Sequence, residues 1–150
     1  MRALVQRVTK ASVTVDGAGV GAIGAGLLVL LGVEVGDGHE DVDRMCGKLT
    51  KLRIFPDEQG RMDRNIMQFG GEMLLVSQFT LFADTAKGDR PSYIRAARPE
   101  QAVPLYEALH AALERTLGAA VPTGRFGAYM HVELVNDGPV TLMIDSRQRL

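Results

Sequence analysis

The chain has 150 residues, 46% of them hydrophobic and 23% charged, the make-up of one folded domain rather than of a disordered or fibrous chain. Seventeen Lys and Arg against 18 Asp and Glu leave a formal net charge of −1, which excludes a global pull on nucleic acid, so any such contact must come from a local patch. The longest apolar stretch, Gly24 to Val35, is shorter than the roughly 20 residues that cross a bilayer, and a lone cysteine, Cys46, excludes an internal disulfide.

From the N-terminus, Met1 to Arg7 alternates and carries charge, without the uninterrupted apolar segment of a secretory signal; a cytosolic protein is expected. Leu4 to Val8 and Ala11 to Val15 are β-rich, and Asp16-Gly17 is a turn signal before Val20 to Ile23, so the chain is expected to begin as a hairpin-rich sheet. Gly26 to Val33 is a continuous apolar run of strand length, read as a central strand buried on both faces. After Gly36-Asp37-Gly38 the period changes: Val42, Met45, Cys46, Leu49 and Leu52 recur at helical spacing, which places Cys46 on a packing stripe rather than in a reactive site.

Arg53 to Pro56 reads as a short strand followed by a turn, and Gly70-Gly71 precedes a second buried strand, Met73 to Val76, which delivers Ser77 at its end. Thr85 to Ser92 is polar, with Gly88 and Pro91, and is expected to be an exposed loop. It opens the densest basic stretch, with Lys87, Arg90, Arg95 and Arg98. Pro99 opens a helix with Val103, Tyr106, Leu109, Leu113 and Leu117 on one stripe, ended by Gly118. Two final strands, Met130 to Leu134 and Val140 to Ile144, are expected to flank a turn at Asn136-Asp137-Gly138-Pro139. The order of elements favours an α+β domain whose mostly antiparallel, barrel-like sheet packs with two main helices. No Gly-rich phosphate fingerprint follows a strand as a nucleotide-binding sheet requires.

Two segments carry candidate chemistry. Ser77-Gln78-Phe79-Thr80 follows a buried strand, where successive backbone N–H groups can face a developing oxyanion, the geometry that ester hydrolysis needs; the alternative is that Ser77 and Thr80 only satisfy local backbone. Thr80 is a weak nucleophile without an adjacent base, and His39, His110 and His131 stand beside no triad signature. Gly138-Pro139 lies where a cis peptide bond can occur, with an ordinary trans turn as the alternative. No Cys/His group has zinc spacing, and neither a metal nor another cofactor is implied.

Seven collinear blocks then set the family. Met1 to Val8, Gly26 to Val33, Leu52-Arg53-Ile54-Phe55, Ser77-Gln78-Phe79-Thr80-Leu81, Gly88-Asp89-Arg90-Pro91-Ser92, Thr123-Gly124-Arg125-Phe126-Gly127 and Asn136-Asp137-Gly138-Pro139-Val140-Thr141 resemble the D-aminoacyl-tRNA deacylases from Met1 to about Ser146. The resemblance implies a homodimer in which each subunit inserts its Gly138-Pro139 dipeptide, cis in the family, into the active site of its partner. Carbonyl oxygens of that dipeptide would hold the substrate's α-ammonium and leave no room for an L side chain, while glycine would pass.

The same resemblance implies that Ser77, Gln78, Phe79 and Thr80 hold the ester carbonyl and the terminal adenosine, with amides near Phe79 and Thr80 as oxyanion donors. Phe126, Gly127 and Met130 would line the adenine end, where an aromatic face can stack on a base. Arg7 would brace the Gly-Pro segment and, with Val140 and Thr141, would belong to the substrate-binding residues. The expected substrates are D-aminoacyl-tRNA and mischarged glycyl-tRNA, with either Thr80 or the terminal ribose hydroxyl driving hydrolysis. The competing expectation is a nucleic-acid-binding module of the same fold that does not turn over.

Overall fold

The computed structural model describes residues 1–147. In chain order the elements are β1 (Arg2–Val15), β2 (Ala18–Ile23), β3 (Gly26–Gly32), α1 (His39–Lys51), β4 (Phe55–Pro56), β5 (Met62–Arg64), α2 (Ile66–Phe69), β6 (Glu72–Ser77), a 3-10 turn (Phe79–Phe82), α3 (Pro99–Leu117) and β7 (His131–Asp145).

The main sheet runs β2-β1-β3-β6, and β7 pairs with the other edge of β1. β1 is antiparallel to β2, β3 and β7, while β3 and β6 are parallel. The sheet is therefore mixed, with a parallel pair beside its antiparallel ones, and it curls into a half-barrel. The expected α+β class is observed, with the short α2 joining the two longer helices.

The two apolar runs read from the sequence are buried on both faces because each serves two cores. Leu27, Val29 and Leu31 of β3 and Met73 and Leu75 of β6 point to a core shared with α1 and α3. Leu28, Leu74 and Val76 point the other way, into the curl of the sheet, where they meet Val8, Ala11, Val13 and Ile23. Burial of both faces is what removes the polar alternation from a strand.

Two boundaries differ from expectation. The N-terminal β-rich segments form one strand of 14 residues, not two. Its inward positions shift from Ala3 and Val5, which face the helices, to Val8, Ala11 and Val13, which face the other core. Register irregularities at Gln6/Val8 and Val8/Lys10 accompany that change of phase. The two expected C-terminal strands are likewise one, β7, and the supposed turn at Asn136 to Pro139 is a bulge within it. Gln6 pairs with Thr141 and Val8 with Asn136, so four residues of β7 stand opposite Arg7 alone.

The helix readings follow the observed caps. Asp41 accepts the Gly38 N–H at 3.0 Å at the start of α1. Pro99 occupies the first turn of α3, and Gly118, at φ 64°, closes it in the left-handed conformation. Cys46 is buried on the α1 stripe, 3.6 Å from Thr116 Oγ1, as a packing residue.

Candidate functional site

β6 delivers Ser77 to the edge of the helix-side core. Ser77 pairs with Leu31 of β3, and the Gln78 N–H extends the ladder by donating to the Leu31 carbonyl at 2.7 Å. The chain then leaves the sheet as the 3-10 turn. Phe82, 1% exposed, roots that turn, with the Arg2 and Arg95 guanidinium groups 4.8 and 5.6 Å from its ring centroid. Arg2 also donates to the Leu81 carbonyl at 3.1 Å. With Phe82 held inward, Phe79 at the other end of the turn faces outward and is 55% exposed.

A short helical segment leaves its first amides without internal acceptors. Among the described residues, the N–H groups of Phe79 and Thr80 find no acceptor. The Gln78 side-chain amide donates to Thr80 Oγ1. Two neighbouring unpartnered N–H groups beside an exposed aromatic ring are suited to receive a carbonyl oxygen as it gains charge.

The opposite wall comes from α3 and the segment before β7. Gly124 N–H donates to the Leu75 carbonyl at 3.1 Å and Leu75 N–H to the Pro122 carbonyl at 3.0 Å, which draws residues 122–127 against β6. A Cβ on Gly124 would lie 2.6 Å from Met130 Sδ, so a side chain there would displace the Met130 thioether. The Tyr106 hydroxyl donates to the same Leu75 carbonyl at 3.0 Å, and its ring meets Phe126 edge-on at 5.9 Å.

Between these walls lies a cleft lined by Leu31, Val33, Ser77, Phe79, Ala97, Ala102, Tyr106, Phe126 and Gly127. Its volume of about 70 Å³ has room for only a few waters. A larger ligand would therefore lie across its mouth, on Phe79 and the 37%-exposed Phe126. Its one titratable lining group is Tyr106, and burial pushes that phenol up to about 12, so it stays neutral. The histidines lie elsewhere: His110 contacts the Val121 carbonyl at 2.7 Å, His131 packs against Tyr129, and His39 begins α1. No group of three or more His, Cys, Asp or Glu among the described residues is placed to hold a metal.

A second cluster forms at the β7 bulge. The Asn136 side chain closes it from within, accepting the Val140 N–H at 2.8 Å and donating to Thr141 Oγ1 at 2.9 Å and to the Val140 carbonyl at 3.3 Å. Arg7, alone opposite the bulge, donates to the Asp137 carbonyl at 3.0 Å and to the Ile54 carbonyl at 2.6 Å, and approaches the Asp137 carboxylate at 3.4 Å. Gly138 has φ 144° and the Gly138-Pro139 bond is cis. A Cβ at Gly138 would fall 2.8 Å from the Val140 nitrogen and 2.7 Å from its Cγ2. The dipeptide itself is exposed.

Within one chain, then, Ser77, Phe79, Phe126 and Gly127 share the cleft, with Gln78 and Thr80 joined to each other in the adjoining turn. Gly138, Pro139, Arg7, Val140 and Thr141 form a separate cluster, and none of them lines the cleft. Met130 sits behind it, taking the Arg125 N–H on its sulfur at 3.4 Å. Sequence reasoning missed Tyr106 as a wall of the site, because on α3 it looks like one more residue of the packing stripe. It also missed Asn136 as the clasp of the bulge; the asparagine was visible in the motif, but its partners follow from the bulge, which a turn reading conceals.

The fold is one already seen. Over 95% of this chain and 97% of the other, it superimposes with a TM-score of 0.82 on a solved structure described as a probable eukaryotic D-amino acid tRNA deacylase, at 16% identity; that likeness establishes the α+β half-barrel alone. A second solved structure, named c-Myc DNA Unwinding Element Binding Protein, matches with a TM-score of 0.94 at 42% identity over 99% of this chain and 100% of its own.

Sequence comparison is more specific. Residues 4–145 match the model of the D-Tyr-tRNA(Tyr) deacylase family. The protein named D-aminoacyl-tRNA deacylase from Bacteroides thetaiotaomicron is 54% identical over 99% of both chains, and the one of that name from Dechloromonas aromatica is 59% identical over 98% of both. The chain belongs to the D-Tyr-tRNA(Tyr) deacylase family.

Proposed function

We propose that this protein hydrolyses the ester between a D-amino acid, or glycine, and the terminal adenosine of tRNA, working in the cytosol as a homodimer without a cofactor. The observation that carries the chemistry is the pair of unpartnered amides, Phe79 and Thr80 N–H, at the mouth of a cleft with no side-chain base. The names of its relatives support the substrate class.

Water adds to the ester carbonyl carbon, the carbonyl oxygen takes the negative charge and is held by the two amides, and the carbon–oxygen bond to the ribose then breaks as that oxygen gains a proton. Among the described residues Thr80 has no neighbour able to remove its proton, because Gln78 only donates to it. The adjacent ribose hydroxyl of the substrate therefore assists the water. Ser77 and Gln78 position the turn, and Phe126 and Gly127 receive the adenine face.

Selection falls to the Gly138-Pro139 dipeptide. It is exposed and lies outside the cleft of its own chain, so a gate made from it requires a second copy to bring it over the cleft. The exposed Val135, Leu142 and Met143 of β7 flank the dipeptide in the chain and offer apolar surface for that contact. Carbonyl oxygens of the dipeptide, in a bulge whose two ends are held by Arg7 and Asn136, recognise the α-ammonium and exclude an L side chain by contact, while glycine passes.

The test is release of amino acid from D-tyrosyl-, L-tyrosyl- and glycyl-tRNA, with chelator present. Loss of the D and glycyl esters with the L ester spared is expected; equal release from all three would remove the gate. A second reading, nucleic-acid binding without turnover, is favoured by the DNA-binding name of the 42%-identical structure. Tight binding with no release from any ester would establish it instead.

A further inference from the structure

Beside the cleft, on the side of the 3-10 turn, is an open groove of about 470 Å³ to which neither the fold nor the proposed chemistry assigns a role. Its apolar surface is unusually exposed: Ile94 is 84% exposed, Val35 57% and Tyr93 39%. Residues 93–97 are held firmly in place, with Val35 N–H donating to the Arg95 carbonyl and Ala97 N–H to the Val33 carbonyl, each at 2.9 Å. The exposed side chains thus stand on a fixed backbone.

We infer that this groove binds the nucleotide that precedes the esterified terminal adenosine, stacking its base on Tyr93 and Ile94 as the single-stranded end of the RNA substrate leaves the cleft. The inference rests on the deacylase reading and extends it to a second subsite. Continuity is the first argument. The Tyr93 ring meets Phe79, which lines the cleft, edge-on at 5.1 Å, and Ala96 and Gln101 of the groove are chain neighbours of Ala97 and Ala102 of the cleft.

Charge is the second argument. Between Thr85 and Arg98 the chain carries Lys87, Arg90, Arg95 and Arg98 against Asp89 alone, in a protein whose net charge is −1. Arg95 is bound to Glu34 at 2.7 Å, whereas Arg98 lines the groove itself, together with Glu100, and Lys87 and Arg90 lie in the chain that leads to it. An aromatic and aliphatic surface beside a basic segment is the combination that binds single strands without reading their sequence.

The experiment compares two small esters: D-tyrosyl-adenosine, which fills only the cleft, and D-tyrosyl-cytidylyl-adenosine, which adds one nucleotide on the 5′ side. The unaltered protein is expected to show about 10-fold higher kcat/KM for the dinucleotide ester, the scale of one stacked base. Ile94→Ser and Tyr93→Ala should each remove most of that preference, Tyr93→Phe should retain it, and Ile94→Ser should leave the adenosine ester unaffected.

Equal loss on both esters in Ile94→Ser would overturn the inference, as would an unaltered protein that hydrolyses both esters equally. If Ile94→Ser converts a dimer to monomers, the groove is a contact between copies of this chain and the inference fails. Absence of hydrolysis of either ester, and of tRNA esters, would instead defeat the deacylase reading and the subsite with it.

Discussion

The 3-10 turn and the β7 bulge are both departures from regular structure, yet they are built in opposite ways. The turn leaves two amides unpartnered and points Phe79 to solvent. In the bulge, the Asp137 and Val140 carbonyls and the Val140 N–H are all bound by Asn136 or Arg7. The contrast separates two tasks. A place where charge develops needs donors free to receive it, whereas a place that selects by shape needs a backbone that does not yield.

The largest effect should come from distorting the proposed selector. Gly138→Ala places a Cβ against the Val140 backbone at a φ of 144° that alanine does not adopt. Deacylation of D-tyrosyl-tRNA should fall about 100-fold or more while circular dichroism remains that of the folded protein. Retained activity would mean that the bulge need not be rigid.

Next is the brace. Arg7→Ala removes the hydrogen bonds to the Asp137 and Ile54 carbonyls, and should lower kcat/KM for the D ester by about 10- to 100-fold, since bonds to a charged group are worth roughly 1.5–3 kcal/mol each. Hydrolysis of L-tyrosyl-tRNA should rise at the same time. Arg7→Lys should not restore either value, because a single ammonium cannot reproduce the forked contact. A loss confined to the D ester, with L still rejected, would detach Arg7 from selection.

At the turn the expectation is smaller. Thr80→Ala removes a hydroxyl that lacks a base, so single-turnover hydrolysis should persist within about 10-fold, whereas a true nucleophile would cost several orders of magnitude. Replacing the ribose hydroxyl of the terminal adenosine by hydrogen should be the more damaging change.

A third region calibrates both, because it is ordered by charge and lies outside the cleft and the bulge. The Met1 α-ammonium lies 2.8 Å from Asp37, both fully buried, and 2.8 Å from Ser146 Oγ. Ser146 donates to Asp41 at 2.6 Å, and Arg147 approaches both carboxylates. Burial pushes the Asp41 carboxyl up, but the Ser146 hydroxyl, the Gly38 amide, the N-terminal ammonium and Arg147 together hold it below the ordinary carboxylate value.

A carboxyl with a depressed folded-state pKa contributes stability that is present above the unfolded value, near 3.8, and is lost as pH falls through the folded one. Asp41→Asn should therefore lower the urea midpoint at pH 7, by about 2 kcal/mol in stability, and the difference from the unaltered protein should shrink below pH 4. Activity at pH 7 should be unchanged wherever the protein is folded; a parallel loss of activity would tie this cluster to the site.

Much of this architecture was legible because it follows from local chemistry. The Val42, Met45, Cys46, Leu49 stripe specified α1, Pro99 and Gly118 bounded α3, and Asp16-Gly17 set the first hairpin, since periodicity and caps act within a few residues. The two apolar runs that became β3 and β6 announced burial on both faces, and the second of them brought Ser77 to the edge of the sheet as expected.

Tertiary structure alone decided the rest. Nothing near Asn136 in the chain shows that Asp137 to Val140 bulge from a continuous strand, because the partner that makes them a bulge is Arg7, 130 residues away. Tyr106 became a wall of the cleft only when residues 122–127 were drawn onto β6, and the free amides of Phe79 and Thr80 exist because Phe82 and Arg2 hold the following turn in place. Sequence patterns determine which segments are helix, strand or turn through short-range forces. Which backbone groups remain unpaired is settled only after every distant segment has chosen its partner.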